Sequence, residues 1–217
     1  MPDFKEFLKN RLTQELPGSV AQNRMRPYPA SYKTPTFKSY SPNTNAYRNS
    51  SVLALFISRE SGLEILLTLR TAGIKHGGQI SFPGGGQEGD ETHEETALRE
   101  AHEETGLILQ NVEIVGRLSP LNVDHSKNMV TPVVGFLQKE QEFIANPNEV
   151  EEIFCIPISK LVGENHLKKE EWTLRDTKYL VPYWEVHQIP LWGATSMMLS
   201  ELVAIYEEFV ELGFRRK

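Results

Sequence analysis

The residues most capable of chemistry in this chain are three closely spaced glutamates. Glu100, Glu103 and Glu104 stand at positions i, i+3 and i+4, so a helix would carry all three carboxylates on one face. Like charges this close raise one another's pKa, and a divalent cation that prefers oxygen ligands, such as Mg²⁺ or Mn²⁺, removes that penalty. The spacing therefore predicts a metal site made of carboxylates.

The flanking sequence predicts the helix that such a site needs. Thr92 followed by Glu95 has the form of a capping box, and Gly106 stands where a left-handed residue would end the helix. A helix is therefore expected from about Thr92 to Thr105. Its apolar positions lie away from the carboxylates, where they could approach a sheet: Ala97, Leu98 and Ala101.

An arginine and a glycine-rich turn complete this stretch. Arg99 can orient carboxylates through ion pairs, for which three glutamates are candidates: Glu91, Glu95 and Glu103. Gly85 lies in a turn that has freedom in φ, where a main-chain carbonyl could reach the metal. We therefore expect Arg99 and Glu91 to support catalysis and Gly85 to belong to the metal site.

A solvated acidic helix is the simplest explanation of most charge runs, but it does not account for the glycines, the arginine or their spacing. Residues Gly85 to Leu107 resemble the Nudix box, the motif of hydrolases that cleave nucleoside diphosphates linked to another group. Ala101 stands where the family usually has a larger aliphatic residue. The resemblance implies an α/β fold, an α/β/α sandwich with a mixed central sheet and a catalytic helix, and Mg²⁺ or Mn²⁺ as the cofactor.

The resemblance implies that the box carboxylates hold the metal and that a glutamate activates the attacking water. In this family the general base is sometimes a box glutamate and sometimes a glutamate from a distant loop. Glu103 and Glu149 are therefore both candidates, and Glu151 and Glu152 lie beside the second. The sequence does not choose among them.

A second stretch resembles one subfamily, the coenzyme A pyrophosphatases. It runs from Leu66 to Thr71 and from Lys75 to Gly85, although Thr71 replaces the usual Ser or Ala and the spacing from Arg70 to Gly78 is one residue shorter than in that subfamily. Similar resemblances near the C-terminus include Leu191 to Thr195. The implied substrate is coenzyme A or an acyl derivative.

Two other functions remain open at this point. One is a different Nudix activity, on ADP-ribose, NADH or a nucleoside triphosphate, because pocket residues outside the box decide the substrate. The other is a catalytically silent sensor or binding module of the same fold. Proteins of that second kind typically lose box carboxylates, whereas Glu100, Glu103 and Glu104 are all present here.

The composition and net charge limit the classes of binding partner that we expect. A chain of 217 residues with 24% charged and 39% hydrophobic residues can bury a substantial core, and its formal charge of −6 argues against nucleic-acid binding. An anionic substrate then needs local cations, and Arg70, Lys75 and His76 are the candidate phosphate-binding residues. No apolar run approaches the length of a membrane span, and the first residues do not resemble a signal peptide, so we expect a cytoplasmic protein that does not bind membranes.

The chain divides into an N-terminal extension, residues 1–50, and a hydrolase domain, residues 51–217. The extension is expected to hold a helix at Phe4 to Leu16 and then an extended segment, Pro17 to Ser50, which has basic and aromatic residues but no Asp or Glu. This segment could bind a nucleotide or RNA by stacking, but we favour a strap over the protein surface or a partner subunit. The resemblance also implies a homodimer, because the family often forms homodimers, and this segment and the apolar C-terminal helix are the features that favour it.

Periodicity predicts the remaining elements. A lysine- and glutamate-rich stretch, Glu164 to Glu171, is expected to be a solvated loop or short helix, and Cys155 a buried cysteine in a strand. A final helix from about Ser196 to Leu212 should end at Gly213. Strands are predicted at Ser51 to Ser58, Glu64 to Leu69, Val112 to Leu118, Val130 to Gln138, Trp172 to Leu174 and Tyr179 to His187.

Overall fold

A computed structural model describes residues 3–32, 47–74 and 76–215 of the chain. Its helices are α1 Phe4–Arg11, α2 Gly18–Gln22, α3 His93–Thr105 and α4 Gly193–Arg215, with short 3₁₀ turns at Asn23–Met25, Leu109–Asn111 and Ile158–Leu161. Its strands are β1 Tyr28–Pro29, β2 Arg48–Arg59, β3 Gly62–Arg70, β4 Ile80–Ser81, β5 Gly84–Gly86, β6 Val112–Arg117, β7 Leu121–Val123, β8 Asn128–Leu137, β9 Val150–Pro157, β10 Leu167–Leu174 and β11 Thr177–Trp184. Among these helices, none is both long enough and apolar enough to cross a lipid bilayer.

The main sheet is mixed. Strands β2 and β8 run parallel over nine paired residues, whereas β3, β5 and the other members pair antiparallel with their neighbours. Within the described residues this sheet has eight strands, with β4, β3, β2, β8 and β6 in order and β5, β7 and β9 alongside. Strands β1, β11 and β10 form a smaller antiparallel sheet.

Strand β2 contributes side chains to both faces of the main sheet, because successive side chains of a strand point to opposite faces. Leu53, Leu55 and Ile57 belong to an apolar cluster that also contains Ala97 and Ala101 of α3. The residues between them, such as Phe56, face a second cluster that includes α1 and α4. Helices therefore cover both faces of the sheet, which confirms the expected α/β/α sandwich.

Helix α3 forms as its caps predict. Thr92 and Glu95 make the reciprocal bonds of a capping box, and Gly106 ends the helix with φ of 66°. Ala97 and Ala101 are fully buried against the sheet. These small side chains let the helix lie close to β2, which positions its carboxylates at the sheet edge.

The N-terminal residues pack on the opposite face. Phe4 meets Tyr206 and Phe209 of α4 with ring centroids 5.1 Å apart in both pairs. Arg24, from the predicted strap, donates to Glu207 of α4 at 3.3 Å. The described start of the predicted strap thus lies on the protein's own surface, while residues 33–46, with Lys33, Lys38, Phe37 and Tyr40, are outside the described residues.

Several local predictions were wrong. The segment predicted to be extended from Pro17 begins instead with helix α2, Gly18–Gln22, and a 3₁₀ turn at Asn23–Met25. Strand β10 covers Leu167 to Glu171 of the stretch Glu164 to Glu171, because these residues pair one after another with β11 and their polar side chains lie on an exposed sheet. Helix α4 continues past Gly213 to Arg215, since a helix that is already packed tolerates an internal glycine. The first helix ends at Arg11, before the predicted Leu16.

Candidate active site

The candidate site lies where α3 faces the short glycine strand β5. Strand β5 pairs with β2, with Gly85 opposite Ser51, and this pairing fixes the glycines beside the carboxylate face of the helix. Of the residues predicted from sequence, the structure brings together Gly85, Glu100 and Glu104, with Arg70 at the end of the adjacent strand β3.

Glu104 is the buried member of the acidic face. Its side chain is only 1% exposed, and its carboxylate accepts bonds from Arg70 Nη1 at 3.0 Å and from the main-chain N–H of Gly84 at 3.2 Å. Burial raises the pKa of Glu104 to about 7, although the Arg70 charge and the Gly84 N–H act in the opposite direction. Glu104 is thus a carboxylate whose ionised form gains from any additional nearby cation.

Glu100 lies directly against the main chain of β5. A Cβ on Gly85 would be 2.4 Å from the Glu100 carboxyl carbon, so only glycine leaves room for this carboxylate. Burial raises the pKa of Glu100, while a bond from Arg99 Nη1 at 3.0 Å lowers it. The absence of a side chain at Gly85 is therefore what leaves space for the Glu100 carboxylate beside β5.

Arg99 is held in a fixed orientation by four groups. Its Nε and Nη2 donate to the two Glu91 oxygens at 2.7 and 3.1 Å, and Nη2 also donates to the Gly86 carbonyl oxygen at 2.9 Å. Its Nη1 donates to Glu100 and, at 3.3 Å, to the half-exposed Glu103. Of the three partners proposed from sequence, Glu91 and Glu103 bond to Arg99, whereas the Glu95 carboxylate caps the helix at Thr92.

The three glutamates outside the box that are candidates for the general base lie in different surroundings. The Glu149 N–H donates to the Asn146 carbonyl oxygen at 3.0 Å, and the Asn146 N–H donates to the main-chain carbonyl oxygen of Glu104 at 3.0 Å, so the loop that carries Glu149 bonds to the end of α3. Burial is the main cause of the raised pKa of Glu100 and of Glu104, and the charge of Glu149 raises the pKa of both further. Glu151 is exposed, and Glu152 accepts from His187 Nε2 at 3.3 Å. Glu149 is thus the loop carboxylate that the fold brings to the site.

A cleft of about 790 Å³ opens at this edge of the sheet. Its lining includes Gly85, Glu100, Arg70 and His76. The loop that carries His76 closes on Arg70, whose carbonyl accepts from Gly78 N–H at 2.9 Å. Lys75, the third predicted phosphate-binding residue, is outside the described residues.

Arg48 and Trp192 are among the residues that line this cleft but were not predicted as site residues. Arg48, which the sequence assigns to the strap, begins β2 at the cleft, and Trp192 immediately precedes α4. Neither has a fixed spacing to the box. Only the sheet topology and the packing of α4 place these side chains near Glu100.

A divalent metal ion needs several oxygen ligands that converge on one point. Across residues 3–32, 47–74 and 76–215, no three acidic, histidine or cysteine side chains converge as a ready-made cluster. Glu104 instead faces Arg70, and Glu100 and Glu103 face Arg99. The residues nevertheless fit a hard cation, because carboxylate oxygens lie beside the side-chain-free space at Gly85.

Cys155 takes no part in this site. It lies in β9, packs against the apolar cluster under α3, and burial raises the pKa of its thiol to about 11. A thiol that stays protonated at neutral pH is a poor nucleophile. The partly buried position agrees with a structural cysteine.

Comparisons with known proteins show the family of this chain. The NUDIX domain model matches residues 47–179. An uncharacterized Nudix hydrolase NudL from Photorhabdus laumondii is 34% identical over 157 residues, which cover 71% of this chain and 83% of the relative. The mouse peroxisomal coenzyme A diphosphatase NUDT7 is 40% identical over 110 residues, about half of each chain.

A solved structure supports the fold. A Nudix hydrolase from M. smegmatis, RenU, superposes with a TM-score of 0.54 at 18% identity and covers 74% of this chain and 86% of that one. The box geometry, the sandwich and these matches lead to one conclusion: the chain belongs to the Nudix hydrolases, enzymes that act on nucleoside diphosphate derivatives with the help of divalent metal ions.

Proposed function

We propose that this enzyme hydrolyses the diphosphate of coenzyme A or of an acyl-coenzyme A. The products would be 3′-phospho-AMP and 4′-phosphopantetheine or its acylated form. The observation that carries the substrate class is the similarity to the mouse coenzyme A diphosphatase, 40% identical over 110 residues. The cleft at Glu100 supports it, because it offers room for a substrate next to the box carboxylates.

The metal would be Mg²⁺ or Mn²⁺, held by Glu100, Glu103 and Glu104 with the main chain of Gly85. When bound, such an ion neutralises diphosphate charge and lowers the pKa of a water molecule. Arg99 would keep the Glu100 and Glu103 carboxylates in place through the bonds described above. Glu91 would act through Arg99 and not on the substrate itself.

The remaining roles follow from position. Glu149 or Glu103 would accept the proton of the attacking water, which forms a new P–O bond as the P–O–P link breaks. His76, on the cleft wall, and Lys75 would contact phosphate oxygens. Arg70 would also contact a phosphate oxygen, in addition to its ion pair with Glu104.

Product analysis tests this proposal. The purified protein is incubated with Mg²⁺ or Mn²⁺ and, separately, coenzyme A, acetyl-coenzyme A, ADP-ribose, NADH and a nucleoside triphosphate, and products are identified by mass spectrometry. Release of 3′-phospho-AMP from coenzyme A, abolished by chelation and by Glu104→Gln, is the expected result. Intact coenzyme A alongside rapid cleavage of another substrate would reject the coenzyme A assignment while keeping the hydrolase.

Matched variants make the experiment specific. Glu94→Gln changes a glutamate on the same helix whose partner is Arg117, away from the acidic face. It should leave turnover within about twofold of the unmodified enzyme, because surface ion pairs contribute little. The predicted cytoplasmic location and homodimer can be examined separately, by cell fractionation and light scattering.

A further inference from the structure

Trp192 lies on the cleft wall, and none of the chemistry above requires it. It borders the same cleft as Gly85 and Glu100, and its side chain is only partly buried. A large aromatic ring gains stability when it is buried. A ring kept partly open beside catalytic carboxylates is therefore a candidate ligand surface.

An aromatic network supports this ring from behind. Trp172 lies 5.3 Å from Trp192, ring centroid to ring centroid, at an interplanar angle of 81°, and Trp172 lies 5.3 Å from Tyr183. The Glu170 carboxylate accepts from Trp172 Nε1 at 3.1 Å and from the Tyr183 hydroxyl at 2.8 Å. The shared acceptor holds Trp172 beside Tyr183, and Trp172 is the ring that packs against Trp192.

The main chain around Trp192 is anchored on both sides. Leu191 exchanges two main-chain bonds with Trp184, at 2.9 and 3.1 Å. Thr195 Oγ1 donates to the carbonyl oxygen of Ile80 at 3.1 Å, which joins the start of α4 to β4. Because β4 leads through Phe82 into β5, these bonds set the position of the indole relative to the glycine strand.

We propose that Trp192 is the surface on which the purine base of the nucleotide stacks while its diphosphate lies at the box carboxylates. This inference rests on the proposed function, since it concerns the substrate of the same cleft. A flat, rigidly supported ring matches a purine face. The polar side chains of Gln79 and Ser81 line the same cleft and can bond to the edges of a base.

Replacing the indole separates stacking from packing. Base stacking on an aromatic ring contributes about 1–3 kcal/mol, equivalent to about 5- to 150-fold in affinity. We therefore expect Trp192→Leu to raise KM for the adenine substrate about tenfold or more and to change kcat much less. Trp192→Phe should restore most of the affinity. Tyr32→Leu, at an exposed aromatic that does not line the cleft, is the control.

A binding experiment that needs no turnover completes the test. AMP and ribose 5-phosphate are titrated, without metal, into the unmodified protein and the variants, and ligand proton NMR spectra are recorded. Stacking predicts that the adenine H2 and H8 resonances move upfield with the unmodified protein and with Trp192→Phe, but not with Trp192→Leu. Ribose 5-phosphate should bind the unmodified protein and Trp192→Leu equally.

The outcomes distinguish this proposal from the proposed function. Unchanged KM and unchanged adenine shifts in Trp192→Leu would overturn the stacking role. Equal weakening of AMP and ribose 5-phosphate would also overturn it, since the ring would then only support the cleft. If coenzyme A is not cleaved but Trp192-dependent adenine shifts remain, the substrate proposal fails and the stacking role stands.

Discussion

Gly85 lies so close to Glu100 that a Cβ on residue 85 would be 2.4 Å from the Glu100 carboxyl carbon. The contact joins a strand residue to a helix residue fifteen positions later in the chain. It explains why a glycine belongs at this position, because any side chain there would occupy the space of the carboxylate.

Gly85→Ala should therefore displace the Glu100 carboxylate without unfolding the protein. The clash is with the end of a flexible side chain, so we expect a small change in melting temperature and a loss of about 10²-fold in turnover, the usual cost of a misplacement near 1 Å. Gly86→Ala is the matched control, because a Cβ there meets nothing within 4 Å. Equal activity of both variants would show that the close contact has no catalytic consequence.

Arg99→Lys should reduce turnover about tenfold or more while the fold persists, because a lysine cannot reproduce the fork that holds Glu91, Glu100 and Gly86 together. Steady-state kinetics and thermal unfolding would measure the two effects. Arg117→Lys makes the same chemical change at a two-bond contact with Glu94 on the same helix. A comparable loss in both variants would argue against a special role for Arg99.

Glu91 should contribute to the acid sensitivity of stability. Arg99, the Glu88 N–H and the Thr96 hydroxyl lower the pKa of Glu91 from 4.5 to about 2. A depressed carboxyl pKa contributes stability that is fully present above the ordinary value and is lost as the pH falls toward the folded value. The unmodified protein should thus have a higher free energy of unfolding than Glu91→Gln at neutral pH, and this difference should shrink as the pH falls from about 5 to about 2. Urea unfolding across that range would measure it, and a constant difference would contradict the assignment.

Glu201 should be a structural anchor that catalysis does not need. It is fully buried in α4, where it accepts bonds from the N–H groups of Gly18 and Ser119, the Ser119 hydroxyl and the Gln22 amide. Glu201→Leu would leave two main-chain N–H groups without this acceptor and should lower the free energy of unfolding by about 2–5 kcal/mol.

A surface pair on the same helix provides the comparison for Glu201. Glu207→Leu removes only the partner of the half-exposed Arg24 and should cost about 1 kcal/mol or less. Urea denaturation measures both values, and turnover of the remaining folded protein should be unchanged. A Glu201→Leu variant as stable as Glu207→Leu would contradict the structural role of Glu201.

The general base can be assigned by comparing Glu149→Gln with Glu103→Gln. Because the loop of Glu149 bonds through Asn146 to the main chain of Glu104, whereas Glu103 is half-exposed beside Arg99, we expect the larger loss of kcat from Glu149→Gln. Loss of the acidic limb of the pH–kcat profile would identify the base, because a base must be deprotonated to act. The opposite ranking would favour Glu103.

The local parts of the site could be predicted from sequence because the physics that creates them is local. Thr92, Glu95 and Gly106 define a helix through bonds that span four residues or fewer, and the spacing of Glu100 and Glu104 then sets their common face. The continuous apolar run from Val52 to Ile57 in β2 likewise indicates a strand that is buried on both faces. The α/β/α class follows from such patterns together with the family resemblance.

The tertiary structure alone decided which distant groups meet. Arg70 reaches Glu104, Glu149 approaches the box, and Trp192 borders the cleft only because β3, β9 and α4 are neighbours in space. The same reason explains why the prediction of a loop or short helix at Glu164 to Glu171 was wrong, because this charged stretch forms strand β10 by pairing with β11. Sequence determined the helix and its carboxylates, whereas long-range pairing and packing, which no local pattern encodes, determined what surrounds them.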